Sequence, residues 1–334
     1  MKTILVTGGA GFLGRNLCEE LLKDKHNTVV CLDNLVTGSK NNIRDFMFYP
    51  NFEFIEYDVT TPFPSNFMRD PAEFIPDDSG KGFPTGIFKK KNIDEIYHLA
   101  CIASPPKYKE FSLETLNTSF NGTQNVLDLA RTHGAKVLFT STSEVYGDPM
   151  VHPQPEEYFG NVNTVGERSC YDEGKRVAES VIYEYRRKFN MDIKIVRIFN
   201  TYGPYMDIND GRVITNFIKQ IIANEQLVIY GDGKQTRSFC YVSDMIDGLM
   251  KMMDSQEKGP INIGNPYCEF TLNELVGHFE DLVNRRLVVE YIDATENDPK
   301  QRKPIIEKAQ KLLNWEPEVK LEEGLQKTFK HFVG

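Results

Sequence analysis

Blocks of positive charge are missing from this chain. Its 334 residues hold 39 basic against 48 acidic side chains, a net charge of −9, and no basic run exceeds Lys89-Lys90-Lys91. A nucleic-acid surface is therefore not expected, and an anionic ligand would need a local cationic site. The six cysteines (Cys18, Cys31, Cys101, Cys170, Cys240, Cys268) form no CxxC pair and have no histidine cluster beside them. That argues against a disulfide framework and a zinc site; they read as reduced thiols, and no metal is expected. No stretch approaches the ~18 apolar residues that cross a bilayer. The first strand begins close to Met1, leaving no room for a leader, so the expectation is a cytoplasmic protein with no membrane partner. The sequons at Asn117 and Asn121 are read as fortuitous, and no internal repeat appears.

What the chain does contain is an alternation of short β-branched runs with helical patterns. Thr3–Thr7, Thr28–Leu32, Phe52–Tyr57, Glu95–Leu99, Lys136–Thr140 and Ile193–Ile198 read as strands, while Leu113–Thr132 and Asp172–Lys188 read as long amphipathic helices. This rhythm predicts an α/β fold, a Rossmann-like doubly wound parallel sheet with a smaller α/β lobe. Residues 1–200 with 238–264 are assigned to the sheet domain, and 201–237 with 265–334 to the lobe. Pro64, Pro71, Pro76 and Pro84, with Gly80, Gly82 and Gly86, break the rhythm. Residues 64–92 are therefore expected to be an irregular surface insertion away from any chemistry.

The strand ending at Thr7 runs into Gly8-Gly9-Ala10-Gly11-Phe12-Leu13-Gly14 and then a helix. Strand, glycine turn and helix in that order suit a dinucleotide: glycines at positions 8, 11 and 14 let pyrophosphate approach backbone N–H groups at the helix N-terminus. Asp33 ends the second strand, nineteen positions beyond Gly14. There a carboxylate can accept from the adenosine ribose hydroxyls and repel a 2′-phosphate, so NAD is expected over NADP. The alternative for Asp33-Asn34 is turn chemistry, and the same choice holds for Asp58-Val59 at the end of the third strand. The cofactor wall is expected to include Phe12, Leu13, Asn34, Leu99, Ala100, Thr118 and Thr201 as well.

Tyr171 and Lys175 stand four apart at the start of a helix, so both project from one face. A neighbouring ammonium favours phenolate, which is expected to lower the Tyr171 pKa and make it a base for a hydroxyl proton. The fifth strand ends in Thr140-Ser141-Thr142-Ser143-Glu144, placing hydroxyls and a carboxylate at the edge where ligands bind. The alternative is that those hydroxyls satisfy backbone groups. A carboxylate there needs a partner or a role.

Taken together, Ser141-Thr142-Ser143-Glu144-Val145-Tyr146-Gly147-Asp148-Pro149, Cys170-Tyr171-Asp172-Glu173-Gly174-Lys175-Arg176, Arg197-Ile198-Phe199-Asn200-Thr201, Asn209-Asp210-Gly211-Arg212-Val213, Tyr230–Arg237, Arg302-Lys303-Pro304 and Leu313-Asn314-Trp315-Glu316-Pro317 give the chain a resemblance. It resembles the extended short-chain dehydrogenase/reductases, and among them the UDP-glucuronic acid decarboxylases, over nearly its whole length. The likeness implies a carboxy-lyase with bound NAD that turns UDP-glucuronic acid into UDP-xylose through a 4-keto sugar. Ser143-Glu144 matches the decarboxylases, where 4,6-dehydratases carry Asp-Glu and 4-epimerases lack the acid.

The resemblance further implies that Thr142, Ser143, Glu144, Tyr171, Lys175 and Arg302 carry the chemistry, with Arg302 at the sugar carboxylate. The alternative for Arg302 is a basic surface turn. Asn200, Thr215, Asn216, Phe217, Tyr230 and Arg237 are implied at the UDP moiety, Arg212 at the cofactor or diphosphate, and a homodimer through the two long helices. Two departures stand out: Ser119 replaces the family's asparagine, and Asn117 replaces a common lysine. Rival readings are a UDP-apiose/xylose synthase, a 4-epimerase, a 4,6-dehydratase and, outside enzymes, an NAD-sensing binding protein.

Overall fold

The computed structural model describes residues 1–64, 67–68, 92–293 and 301–334. The expected insertion at 64–92 lies almost wholly outside the described residues. In chain order the first half runs β1 (Lys2–Thr7), α1 (Phe12–Leu22), β2 (Asn27–Asp33), α2 (Lys40–Ile43), β3 (Phe52–Glu56), β4 (Glu95–His98), α3 (Pro105–Glu110), α4 (Ser112–Asn117), α5 (Thr123–His133), β5 (Lys136–Thr142) and α6 (Ser169–Phe189). The second half runs β6 (Ile193–Ile198), β7 (Thr201–Tyr202), α7 (Val213–Ala223), β8 (Leu227–Tyr230), β9 (Thr236–Ser238), β10 (Cys240–Tyr241), α8 (Val242–Asp254), β11 (Ile261–Ile263), β12 (Glu269–Thr271), α9 (Leu272–Val283), β13 (Val289–Ile292), α10 (Glu307–Leu313) and α11 (Leu321–Val333).

Seven strands form one sheet in the order β11-β6-β5-β4-β1-β2-β3, every neighbouring pair parallel. All but the edge strand β3, whose Glu56 is exposed, are buried on both faces, which is why most of these segments read as largely apolar runs. One core packs Leu17 and Leu21 of α1 with Leu249 and Met252 of α8. The other packs Val126 and Leu127 of α5 with Val181 and Ile182 of α6. Strand order reverses beside β1, between β2 and β4, so the crevice opens over the carboxyl ends of these strands. Three two-stranded sheets, β7 with β10, β8 with β13 and β9 with β12, accompany it.

The long helix expected over 113–132 is divided. A π-helical turn, Thr118–Gly122, separates α4 from α5. Gly122 passes so close to the segment after β3 that a Cβ would lie 2.9 Å from Val59 Cγ2, and Asn125 Nδ2 donates to the Val59 carbonyl at 2.9 Å. The turn therefore falls where helix backbone and loop meet, and it puts Thr118 on the crevice wall and buries Ser119 against Gly174 of α6.

Candidate active site

A cleft of about 610 Å³ occupies the crevice. Its floor is the glycine turn. Gly8 has φ +72° and would bring a Cβ within 2.8 Å of the Ala100 nitrogen, while a Cβ on Gly14 would collide with the Gly8 carbonyl. Gly11 caps α1 with no side-chain hydrogen bond, so the first N–H groups of the helix face the cleft unscreened. Gly8, Gly11, Phe12, Leu13, Gly14, Asp33, Asn34, Val59, Leu99, Ala100, Thr118, Thr201 and Arg212 all line it. A backbone cradle at a helix N-terminus, with a carboxylate at the end of β2, fits a dinucleotide.

Asp33 is engaged in turn chemistry and also lines the cleft. Its Oδ2 accepts from the Ala10 N–H at 3.0 Å and its Oδ1 from the Leu35 N–H at 2.8 Å, yet it still lines the cleft. Burial pushes its carboxyl above the usual range, against those two N–H bonds. Asp58 is a correction. It does not line the cleft; Oδ1 caps Thr60 and Oδ2 accepts from Asn34 Nδ2 at 3.0 Å, so turn chemistry is its role.

At the far end of the cleft lie Thr142, Ser143, Glu144, Tyr171 and Lys175. The hydroxyl-rich strand end divides cleanly: Thr140 donates to the His98 carbonyl and Ser141 to Glu179, both structural, while Thr142 accepts from the Glu144 N–H at 3.2 Å and lines the cleft with Tyr171. The expected lowering of the Tyr171 pKa is not found. Burial pushes the phenol well up, with Cys101 adding to the shift and Thr142 and Arg212 opposing it. The physical reason is geometry: the Lys175 ammonium donates to the Thr140 carbonyl at 2.8 Å and sits 4.6 Å over the Phe139 ring. The Tyr171 ring meanwhile stacks on Tyr108, centroids 5.3 Å apart and 8° from parallel.

Arg302, despite its distance in sequence, closes the site. It is 1% exposed, and it donates to Ser143 Oγ at 3.0 Å, Glu144 Oε2 at 3.2 Å and the Gly147 carbonyl at 2.9 Å. The surface-turn alternative falls. Arg168, which sequence reasoning missed, donates to the same Glu144 oxygen at 2.6 Å. Burial alone would raise the Glu144 carboxyl, but the guanidiniums of Arg168, Arg302 and Arg237 hold it down at about 2.

A second cleft of about 560 Å³ shares Glu144, Arg168, Asn200, Thr201, Tyr108 and Arg212 with the first. Asn216, Tyr230, Arg237 and Arg302 line it as well. Arg212 is braced at the junction, Nη1 donating to Asp210 at 2.9 Å and Nη2 to the Ala103 carbonyl at 2.8 Å. Thr215 is a second correction. It is fully buried and donates to the Arg212 carbonyl, because α7 turns that face inward. Phe217 touches the cleft wall but is itself fully buried, packing edge-on against Phe279. Tyr108 also went unseen by sequence reasoning; only its neighbourhood of Pro105 and Pro106 marks the segment as special.

The description "NAD dependent epimerase/dehydratase family" matches the chain over residues 4–70 and 83–264, and the chain belongs to that family. UDP-glucuronic acid decarboxylase 5 of Arabidopsis thaliana is 49% identical over 96% of this chain and 86% of its own length. UDP-glucuronic acid decarboxylase 1 of Xenopus tropicalis is 45% identical over 99% of this chain and 72% of its own. Among solved structures, UDP-glucuronic acid 4-epimerase from Bacillus cereus, in complex with UDP-glucuronic acid and NAD, superposes with a TM-score of 0.85 at 27% identity, covering 99% of each chain.

Proposed function

We propose that this chain decarboxylates UDP-glucuronic acid to UDP-xylose with NAD, by oxidation at C4, loss of CO₂ and re-reduction. The observation that carries the reading is Arg302 with Ser143 and Glu144. A buried guanidinium in the wall of the second cleft, bonded to the Glu144 that both clefts share, offers a carboxylate paired, planar donors, and the relatives that are decarboxylases share far more identity with this chain than the epimerase does.

NAD, when bound, accepts the C4 hydride and later returns it. The chain's residues do the rest. Tyr171 takes the C4 hydroxyl proton, the Arg212 guanidinium and the cationic nicotinamide of bound NAD opposing the burial that raises its phenol, and the Thr142 hydroxyl lines the same wall. That ketone lies β to the carboxylate, so the C5–carboxyl bond can release its electron pair into an enolate, stabilised at O4 by the Thr142 and Tyr171 hydroxyls. Arg302 orients the carboxylate; Asn216, Tyr230 and Arg237 hold the nucleotide end.

The same reading includes a homodimer and a cytoplasmic location. Leu113, Leu116 and Phe120 are 76%, 38% and 40% exposed, and Val177 and Tyr183 of α6 are 36% and 41% exposed, an apolar face that suits a second copy of the chain. All six cysteines are free thiols, as a reducing compartment would keep them. Incubation with UDP-glucuronic acid, following CO₂ and the product sugar, tests the reaction. Epimerised UDP-sugar without CO₂ would refute it.

A further inference from the structure

Between the two clefts stand two carboxylates, Glu144 and Asp172, and two guanidiniums, Arg168 and Arg302. Glu144 is bonded to both arginines. Asp172 is 7% exposed; its Oδ2 lies 3.8 Å from Arg168 Nε, and its Oδ1 has no hydrogen-bond partner. These four charges balance among themselves, the third guanidinium that acts on Glu144, Arg237, being left to the nucleotide end of the second cleft, and Asp172 is the carboxylate the arginines hold less firmly.

A third carboxylate upsets that balance. When the sugar carboxylate takes Arg302, three anions face two cations in a site largely closed to water, where an unbalanced charge is costly. The least costly remedy is a proton on the least stabilised carboxylate. We propose that Asp172 takes up one proton as the glucuronate carboxylate enters, and that this is the proton the reaction consumes; the inference rests on the substrate reading above.

The balance closes. The C5–carboxyl bond breaks, CO₂ leaves uncharged, and the electron pair passes into the 4-ketone as an enolate. The enolate then forms the C5–H bond with one proton, Asp172 returns to carboxylate, and two anions again face two cations. Asp172 lines neither cleft, whereas Glu144 lines both. It is therefore a proton reservoir behind Glu144: its proton passes to the Glu144 carboxylate, which lines both clefts, and from there to C5, so that both carboxylates end ionised. The charged groups around Asp172 are Glu144 from the turn after β5, Arg168 just before α6, Arg302 from the C-terminal segment and Glu173 of α6 itself. Burial first, then the Glu144 charge, push its carboxyl up to about 7, against Arg168 and Arg302. This is the range in which a further anion tips it to the acid.

The test uses holoenzyme carrying Tyr171→Phe to stop turnover, titrated calorimetrically with UDP-glucuronic acid and with UDP-xylose in buffers of different ionisation enthalpy. UDP-glucuronic acid should take up most of one proton at about pH 8, and its Kd should rise by up to roughly tenfold per pH unit above about pH 7. UDP-xylose should take up none. Adding Asp172→Asn or Asp172→Ser should abolish the uptake and flatten the slope while UDP affinity stays within about twofold. Undiminished uptake in both variants, or none with Asp172 intact, overturns the inference and leaves the substrate reading standing. Failure of UDP-glucuronic acid to bind where UDP binds overturns both.

Discussion

Arg302→Ala is the perturbation that separates decarboxylation from the rest of the family's chemistry. The side chain donates three hydrogen bonds, to Ser143, Glu144 and Gly147. Its contact with a substrate carboxylate, a charge-assisted one, is worth roughly 1.5–3 kcal/mol. Turnover should therefore fall about 10- to 150-fold. Stability should fall less than the ~3–5 kcal/mol of a broken buried ion pair, because Glu144 keeps Arg168 at 2.6 Å. UDP affinity should hold within about twofold, since Asn216, Tyr230 and Arg237 are untouched. Arg302→Lys should recover part of the rate, a point charge replacing the fork. The assay is steady-state CO₂ release, with UDP calorimetry and a thermal melt on each variant. Near-normal turnover in Arg302→Ala would refute the reasoning, as would a loss of UDP affinity that parallels the loss of rate.

Asp33 should make the protein prefer NAD, and Asp33→Asn should narrow that preference roughly tenfold by removing the repulsion of a 2′-phosphate; tighter binding of NADP than NAD to the unaltered protein would count against it. Glu144, held down at about 2, contributes stability that is complete above its unfolded value near about 4.3 and is lost as pH falls through the folded one. With Asp172→Asn in both proteins, so that its carboxyl does not titrate, the melting difference made by Glu144→Gln should thus be constant from about pH 7 to 5 and shrink below, and a difference that widens on acidification would contradict the ion pairing. Leu113→Glu with Phe120→Glu should turn a dimer into a monomer by light scattering, and an unaltered protein that is already monomeric would remove the basis for it.

Much of this site was legible because its signals are local. The glycine turn, Asp33, and Tyr171 with Lys175 each lie within one turn of structure, so spacing alone predicts which face they share. Signals that depend on which way a turn faces were not legible: Asp58 and Thr215 have the right chemistry in the right segments but point away from the clefts. Electrostatic sign was also beyond the sequence. Spacing brings Lys175 near Tyr171, but the ammonium is taken by the Thr140 carbonyl and burial governs the phenol. Arg168 and Tyr108 escaped notice since each reads as an ordinary helix-end residue until β5, α3 and α6 converge.

That convergence also explains where the reaction type resides. The B. cereus epimerase shares this fold closely at 27% identity, and C4 oxidation needs only the cofactor cradle and Tyr171, which lie between residues 8 and 212. An oxidised glucuronate can either be re-reduced, with or without inversion, or lose CO₂. Which course it takes depends on whether the C5–carboxyl bond is held in line with the ketone's π system, and that demands a cation fixed at the carboxylate. Arg302 comes from the C-terminal segment and is anchored by Ser143, Glu144 and the Gly147 carbonyl, all within five residues of the end of β5. A change at either side of this contact would leave hydride chemistry intact and redirect the keto sugar. On the proposed reading, the fate of the substrate rests on one long-range contact, between residue 302 and the turn after β5, while its oxidation rests on local motifs.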